Sequence, residues 1–497
     1  SVVKWFYFFV GERDMQKFMC IGICVIFLCF TGGTIMGFEM PESIQKLIND
    51  GEYVKAKEAL LSLAVKRDIS KMERNEIIFE VERLNRVPYD FRLSEDDVLK
   101  QLKEHIPDAT MDDVTSWTKS GALESRIIEG ERLYFTRAVR NLFILNKDAA
   151  LRRVKTAERV TSTTAYGEIK DMRIHAKNAL EARKKSKSST VTPERFRIEY
   201  TLSVHPDAVP AGEIIRCWLP YPKEVPTQTN IALIESFPEN PIIAPSKMPQ
   251  RTIYMERPAQ KDKPTTFSVT FQYTAWAFVK PIDPLKIDTY NKKEDVWTSY
   301  TAERPPHIVF TPEIRKLAKE ICGKEKNPYL KAKKIFAWVY DNVTWSGAIE
   351  YSIVPNLSMR ALQRRTGDCG MQGLLFITLC RVSGIPARWQ SGWSLQPGEE
   401  NMHDWSQVYF EPYGWLYADA SRGFMDSDDP EIKWFNFGNF DRYRLIVNTD
   451  YGRELYPKKK FFRSEPVDFQ RGEVEWKGGN LYFDKWDYNF KVVPMSK

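Results

Sequence analysis

The stretch RRTGDCGMQGLLFITLCRVSGIPAR, residues 364 to 388, constrains this chain more than any other. A Gly-Asp pair precedes Cys369, an apolar run centred on LLFITL follows it, and Gly384 and Pro386 stand where a helix stops. The pattern predicts a buried helix that begins at Cys369 and ends before Gly384, with Asp368 or Thr366 as its cap. A structural cysteine sits inside such a run, as Cys380 does, whereas Cys369 sits at its mouth. A helix N-terminus presents unpaired N–H groups and roughly half a positive charge, so it stabilises an anion placed there. A thiolate is such an anion, and the location lowers a cysteine pKa below its free value of about 8.5.

A nucleophilic thiol needs a base and a group to orient that base. His403 opens the strand-like run HDWSQVYFE, 34 residues after the cysteine, and Asp419 closes the next run, GWLYADAS. If the two runs are antiparallel neighbours joined at Glu411 to Gly414, their outer ends meet and bring His403 beside Asp419. The other histidines, His105, His175, His205 and His307, all lie upstream of the cysteine helix. Asp404 is a rival carboxylate, but as His403's neighbour in a strand it points to the opposite face. Cys369, His403 and Asp419 in this order make a workable catalytic triad.

The rest of the chain reads as four segments behind a leader. Residues 1–37 contain FMCIGICVIFLCF behind Arg13 and Lys17, followed by small residues, the layout of a secretory signal. The apolar run is short for a spanning helix, although an uncleaved anchor or a lipid-modified Cys24 or Cys29 is an alternative. The body is expected outside the cytoplasm: periplasmic, surface-attached or secreted. Residues 41–185 read as mainly helical; IQKLINDGEYVKAKEALLSLA looks like one tetratricopeptide-type helix pair, but with no second copy at the expected period it reads as an amphipathic helix. Further on come two helices and a hairpin at Glu129-Gly130, a winged-helix-like order. RKKSKSSTVTP, 183 to 193, reads as a linker. Residues 194–285 alternate over strand lengths between turns and predict a β-sandwich. Residues 300–430 return to helices and then give three strands, with turns at Pro397-Gly398 and Tyr413-Gly414, and 431–497 reads as a β-rich extension.

Composition excludes several classes. Over 497 residues, 73 Lys and Arg against 66 Asp and Glu leave a net charge of +7, which makes no specific case for nucleic acid. Seven cysteines, three of them in the leader, do not form a disulfide framework, and five histidines show no zinc spacing. No cofactor or metal is expected. Trp389, Trp393, Trp405, Trp415 and Trp434 crowd the last segment, as core side chains or as the wall of a substrate groove.

The runs RRTGDCGMQGLLFITLCRVSGIPARWQSGW and MHDWSQVYFEPYGWLYADAS resemble the core of the transglutaminase-like superfamily over about residues 310 to 425. The resemblance implies an α+β chain: a papain-like core with the cysteine at a helix N-terminus packed on an antiparallel sheet, preceded by a β-sandwich and a helical domain. It also implies Cys369 as nucleophile, His403 as general base and later acid, and Asp419 as the group that fixes the imidazole. The Cys369 amide is the first oxyanion donor, and Asn356 and Gln363 are candidates for the second. The expected activity is cleavage of a peptide or isopeptide bond through a thioester in a protein, peptide or cell-wall peptide. Transfer to an amine, as in a true transglutaminase, and a non-catalytic binding or scaffold role on the same fold are the alternatives.

Overall fold

The computed structural model describes residues 38–66, 68–154, 172–396 and 398–495. The leader, and Pro397 of the expected Pro397-Gly398 turn, lie outside the described residues. The chain forms two compact units: one runs to Glu82 and includes Ile127–Gly130, and the other comprises Arg83–Arg126 and Glu131–Lys497.

The first unit holds the helices Glu42–Asp50 and Tyr53–Ala64 and the start of Lys71–Asp90. The single amphipathic helix expected here is in fact a pair. Gly51, at φ +80°, ends the first helix by donating its N–H to Ile48, and the chain restarts at Tyr53. Ile44, Tyr53, Ala56 and Leu60 supply the buried faces.

Along the chain from Lys71–Asp90 follow the strand Phe91–Leu93, the helices Glu95–Lys103 and Met111–Lys119, and a hairpin turned at Glu129 and Gly130, both at positive φ. Ser94 with Asp97 and Thr110 with Asp113 form capping boxes that start the two helices. Within the second unit these elements are tied to the later helices and loops. Arg360 pairs with Glu124 at 2.5 Å, and Asn141 exchanges hydrogen bonds with the Gly347 backbone at 2.8 and 2.9 Å.

The expected linker is shorter than read. Helix Met172–Lys185 runs into it, and strand Thr190–Val204 starts inside it. Ala176, Ala179 and Leu180 of that helix pack with Val191, Ala277 and Phe435, so the helix belongs to the β-region rather than to a separate helical domain.

The sandwich has a four-stranded and a five-stranded sheet. Thr265–Phe278 shows why the region folds this way: Phe267, Val269, Phe271, Tyr273 and Ala275 alternate into the core while their neighbours face outward. The C-terminal extension does not stand apart. Glu473–Trp476 pairs with Ile214–Pro220, and Trp486–Pro494 pairs with Thr190–Val204, so the end of the chain completes both sheets.

The last region combines helices with a five-stranded antiparallel sheet ordered Phe437–Gly438, Gly414–Ala418, Asn401–Phe410, Ala387–Ser394 and Arg444–Thr449. Helix Cys369–Val382 packs on it, with the Ser406 hydroxyl donating to the Gly373 carbonyl at 3.3 Å. Every residue from Gly370 to Arg381 is buried, which explains a sequence apolar on all sides. Trp389, Trp393 and Trp405 are fully buried core side chains and wall no groove. The chain is thus an α+β protein, with the cysteine helix laid against an antiparallel sheet.

Candidate active site

Cys369 is the first residue of its helix, and Asp368 caps it by accepting the Met371 N–H at 3.1 Å. The Gln372 N–H bonds the Asp368 carbonyl, so the cap takes two amides and leaves those of Cys369 and Gly370 in the open first turn. Gly370 lets the helix approach its neighbours closely. A Cβ there would come within 2.1 Å of the Tyr351 hydroxyl and 2.8 Å of Asp404 Oδ2.

His403 lies near the start of strand Asn401–Phe410, and Asp419 directly follows Gly414–Ala418. Ser406 pairs with Ala418, so the register brings Asp419 diagonally against His403 on one face. His403 Nε2 and Asp419 Oδ2 are 2.7 Å apart. Arg444 reaches the same oxygen at 2.9 Å and also bonds Asp441 at 2.7 Å, while Ser421 and the Arg422 amide hold the other carboxylate oxygen.

The electrostatics follow from that packing. Burial alone would raise the Asp419 carboxyl, but its contacts with His403 and the Arg444 guanidinium outweigh it and hold the group far below the usual carboxylate range. Burial pulls His403 below the ordinary imidazole value despite Asp419, with Arg444 and Arg422 acting the same way. The resting imidazole is therefore neutral, with Nε2 turned to Asp419 and Nδ1 left for proton exchange.

The thiol does not follow the dipole argument. Cys369 is half-buried and its Sγ donates to Asp404 Oδ2 at 3.4 Å; it makes no hydrogen bond to the imidazole. Because Asp404 directly follows His403, the sulfur still lies beside the histidine's stretch of strand. Burial first, then the Asp404 and Asp368 carboxylates, push the Cys369 thiol well above its ordinary value. The helix terminus was expected to lower that pKa. Its partial charge is outweighed by burial of the sulfur beside the Asp404 and Asp368 carboxyl groups.

Two expected oxyanion donors sit elsewhere. Asn356 caps helix Leu357–Arg364 by accepting the Met359 N–H at 2.9 Å, and Gln363 is exposed on that helix. The polar side chain beside the sulfur is instead Asp404, which Tyr351 and Gln470 contact in turn. The Tyr351 hydroxyl donates to Asp368 at 2.7 Å and stands 3.3 Å from Asp404. The Gln470 amide donates to Asp404 at 2.7 Å and to the His403 carbonyl at 2.9 Å. Gln470 carries no sequence signal, since it lies in the irregular stretch before Glu473–Trp476. Asp404 was legible as a carboxylate next to His403, but nothing in the spacing put it within hydrogen-bond reach of the sulfur.

Among the described residues no cluster of His, Cys, Asp and Glu could hold a metal ion. Cys217, Cys322, Cys369 and Cys380 are all free. A cavity of about 430 Å³, lined by Tyr300, Arg304, Arg381 and Trp415 among others, lies at the far end of the cysteine helix and contains none of the residues around Cys369. No described helix is long and apolar enough to cross a membrane.

Residues 315–420 match the model of the transglutaminase-like superfamily. An uncharacterized protein of Haemophilus influenzae is 21% identical over 252 residues, 42% of this chain and 67% of that protein. The uncharacterized Bacillus subtilis protein YebA is 24% identical over 131 residues, 23% of this chain and only 18% of YebA. Among solved structures, a candidate cysteine protease from Cytophaga hutchinsonii aligns with 62% of this chain and 93% of its own, at 18% identity and a TM-score of 0.43. The periplasmic domain of TgpA from Pseudomonas aeruginosa aligns with 50% of this chain and 91% of its own, at 13% identity and a TM-score of 0.24.

Proposed function

We propose, taking residues 315–420 as a transglutaminase-like core, that this chain is a cysteine-dependent acyl-transfer enzyme that hydrolyses amide bonds. The observation that carries the reading is the meeting of a helix-tip cysteine with the strand residue next to a histidine already bonded to a buried carboxylate.

In this reading the Cys369 proton passes to His403 Nδ1 as the sulfur attacks the amide carbon. A C–S bond forms and the carbonyl oxygen becomes an oxyanion. The Cys369 and Gly370 amides at the helix tip are its donors, a role with effects of 10²- to 10³-fold in other acyl-transfer sites. The oxyanion collapses, the C–N bond breaks, and the imidazolium gives its proton to the departing amine. Water, deprotonated by His403, then attacks the thioester; the C–S bond breaks and the thiol is restored. Asp419 holds Nε2 throughout and stabilises the imidazolium. With both the thiol and the imidazole neutral at rest, the proton moves as the nucleophile attacks, not beforehand.

The working place is proposed to be outside the cytoplasm, on the strength of the apolar stretch 18–30 in the sequence. The substrate is proposed to be a peptide or isopeptide, of protein or cell-wall origin. The test is incubation with an amide-bond library and a primary amine, read by mass spectrometry beside Cys369→Ala. Hydrolysed products that vanish in the variant are expected. Amine adducts would replace the hydrolase with a transamidase, and no product of either kind would leave a binding protein.

A further inference from the structure

The thiol's hydrogen-bond partner is the residue after the histidine, and that carboxylate is itself anchored from two sides. Asp404 is 3% exposed. Its Oδ1 accepts from Gln470 at 2.7 Å, and its Oδ2 faces Cys369 Sγ at 3.4 Å and the Tyr351 hydroxyl at 3.3 Å. Gln470 also binds the His403 carbonyl, so one amide clamps the peptide that joins the two residues. Gly370 leaves no side chain between Asp404 and the helix. An acid in this place does not orient the imidazole, which belongs to Asp419. It takes the thiol's proton as a hydrogen bond and sets the direction of Sγ.

We propose that Asp404 is a positioning residue that fixes the Cys369 side chain and holds it as a protonated thiol in the resting site. The inference deepens the cysteine-enzyme reading and rests on it for its biological meaning, but the contact can be tested without turnover. Burial, then Asp468 and Asp368, push the Asp404 carboxyl itself well above its ordinary value. An acid at hydrogen-bond distance in this setting disfavours S⁻, because ionising both groups would place two negative charges side by side away from water. Around Asp404 stand Asp368 on the helix cap, Tyr351 on its short loop, and Asp468 and Glu465 from the C-terminal stretch; Arg471 and Arg463 are the nearby cations. His403 and Asp419 lie on the adjoining side. Burial pushes the Asp404, Glu465 and Asp468 carboxyls up, so the same buried setting that disfavours these anions also disfavours a thiolate. The consequence for the enzyme is a nucleophile that stays inert toward stray electrophiles and ionises only as its proton leaves for His403 during attack.

The test is the pH dependence of iodoacetamide alkylation at the Cys369 peptide, followed by mass spectrometry in the wild type, Asp404→Asn and Asp404→Ser. The peptide readout separates Cys369 from the buried Cys217, Cys322 and Cys380. In the wild type, alkylation should rise only above the range in which an ordinary cysteine ionises. In Asp404→Asn the amide oxygen can keep Gln470 while the amide nitrogen faces the sulfur. The profile should then move about one pH unit or more toward acid, with about tenfold faster alkylation at pH 7. Asp404→Ser removes the charge with a smaller side chain and should shift the same way. A wild-type profile centred near pH 7 or below would overturn the inference, and needs no variant to fold. So would unchanged profiles in folded Asp404→Asn and Asp404→Ser. A shifted profile in a protein that cleaves no amide would support the inference and count against the enzyme. Cys369-dependent cleavage with an unshifted profile would do the reverse.

Discussion

Asp419 Oδ2 lies 2.7 Å from His403 Nε2 and 2.9 Å from Arg444, so one buried oxygen serves both the imidazole and a guanidinium. Arg444 in turn bonds Asp441, which is also buried. Two carboxylates and one arginine, all nearly inaccessible, form a unit that holds the orienting carboxylate ionised.

That unit makes Arg444 a structural liability if truncated. Arg444→Met would leave Asp419 and Asp441 buried without their shared cation, at a cost of about 3 to 5 kcal/mol. Urea unfolding at pH 7 checks this. A loss below about 1 kcal/mol would mean that the carboxylates find solvent or other partners.

Activity should depend on pH through the histidine and not through a preformed thiolate. Burial lowers the His403 pKa, so the neutral base persists to below pH 6.5. The kcat/KM profile should therefore show its acid limb below about pH 6.5 and stay level to about pH 9. An acid limb in the alkaline range, tracking thiol ionisation, would contradict the proposed order of proton transfer.

Stability has the opposite pH sense at the acidic cluster. Burial pushes the Asp468 carboxyl up to about 7, against the pull of Arg471 and Arg463. Below about pH 4 the folded and unfolded chains both hold this proton, and above it only the folded chain does, until about pH 7. This site's contribution to stability thus falls as pH rises through that window. Asp468→Asn should be more stable than wild type at pH 8, by about 1 to 3 kcal/mol, and equal to it at pH 3.5. Paired denaturation curves at the two pH values decide it.

Gly370→Ala should lose both stability and activity. The new methyl would collide with the Tyr351 hydroxyl at 2.1 Å and with Asp404, forcing the helix tip away from the strand. The expected cost is about 1 to 3 kcal/mol, with activity reduced by a factor of about 100 as the sulfur is displaced. Thermal melting and a cleavage assay report the two effects separately.

Local patterns in the sequence carried much of this architecture. Helix Cys369–Val382, its Asp368 cap and the antiparallel strands at His403 and Asp419 were legible because capping, period and turn chemistry act between near neighbours. What failed were the long-range features. The strand Trp486–Pro494 pairs with Thr190–Val204 across most of the chain, and no local period announces such a partner. Gln470 and Tyr351 reach Asp404, the sulfur's partner, from irregular segments, where residue type says little about destination. The thiol's pKa was misjudged for the same reason. The helix terminus is visible in the sequence, but the carboxylates that oppose it come together only in the fold.

The most direct test of the account is acid-quench trapping of the acyl-enzyme. An activated ester or amide substrate, quenched within the first turnover, should leave one acyl group on the Cys369 peptide. In His403→Ala its formation should slow by several orders of magnitude, and in Cys369→Ala it should be absent. An acyl group on any other residue, or turnover that survives Cys369→Ala, would contradict it.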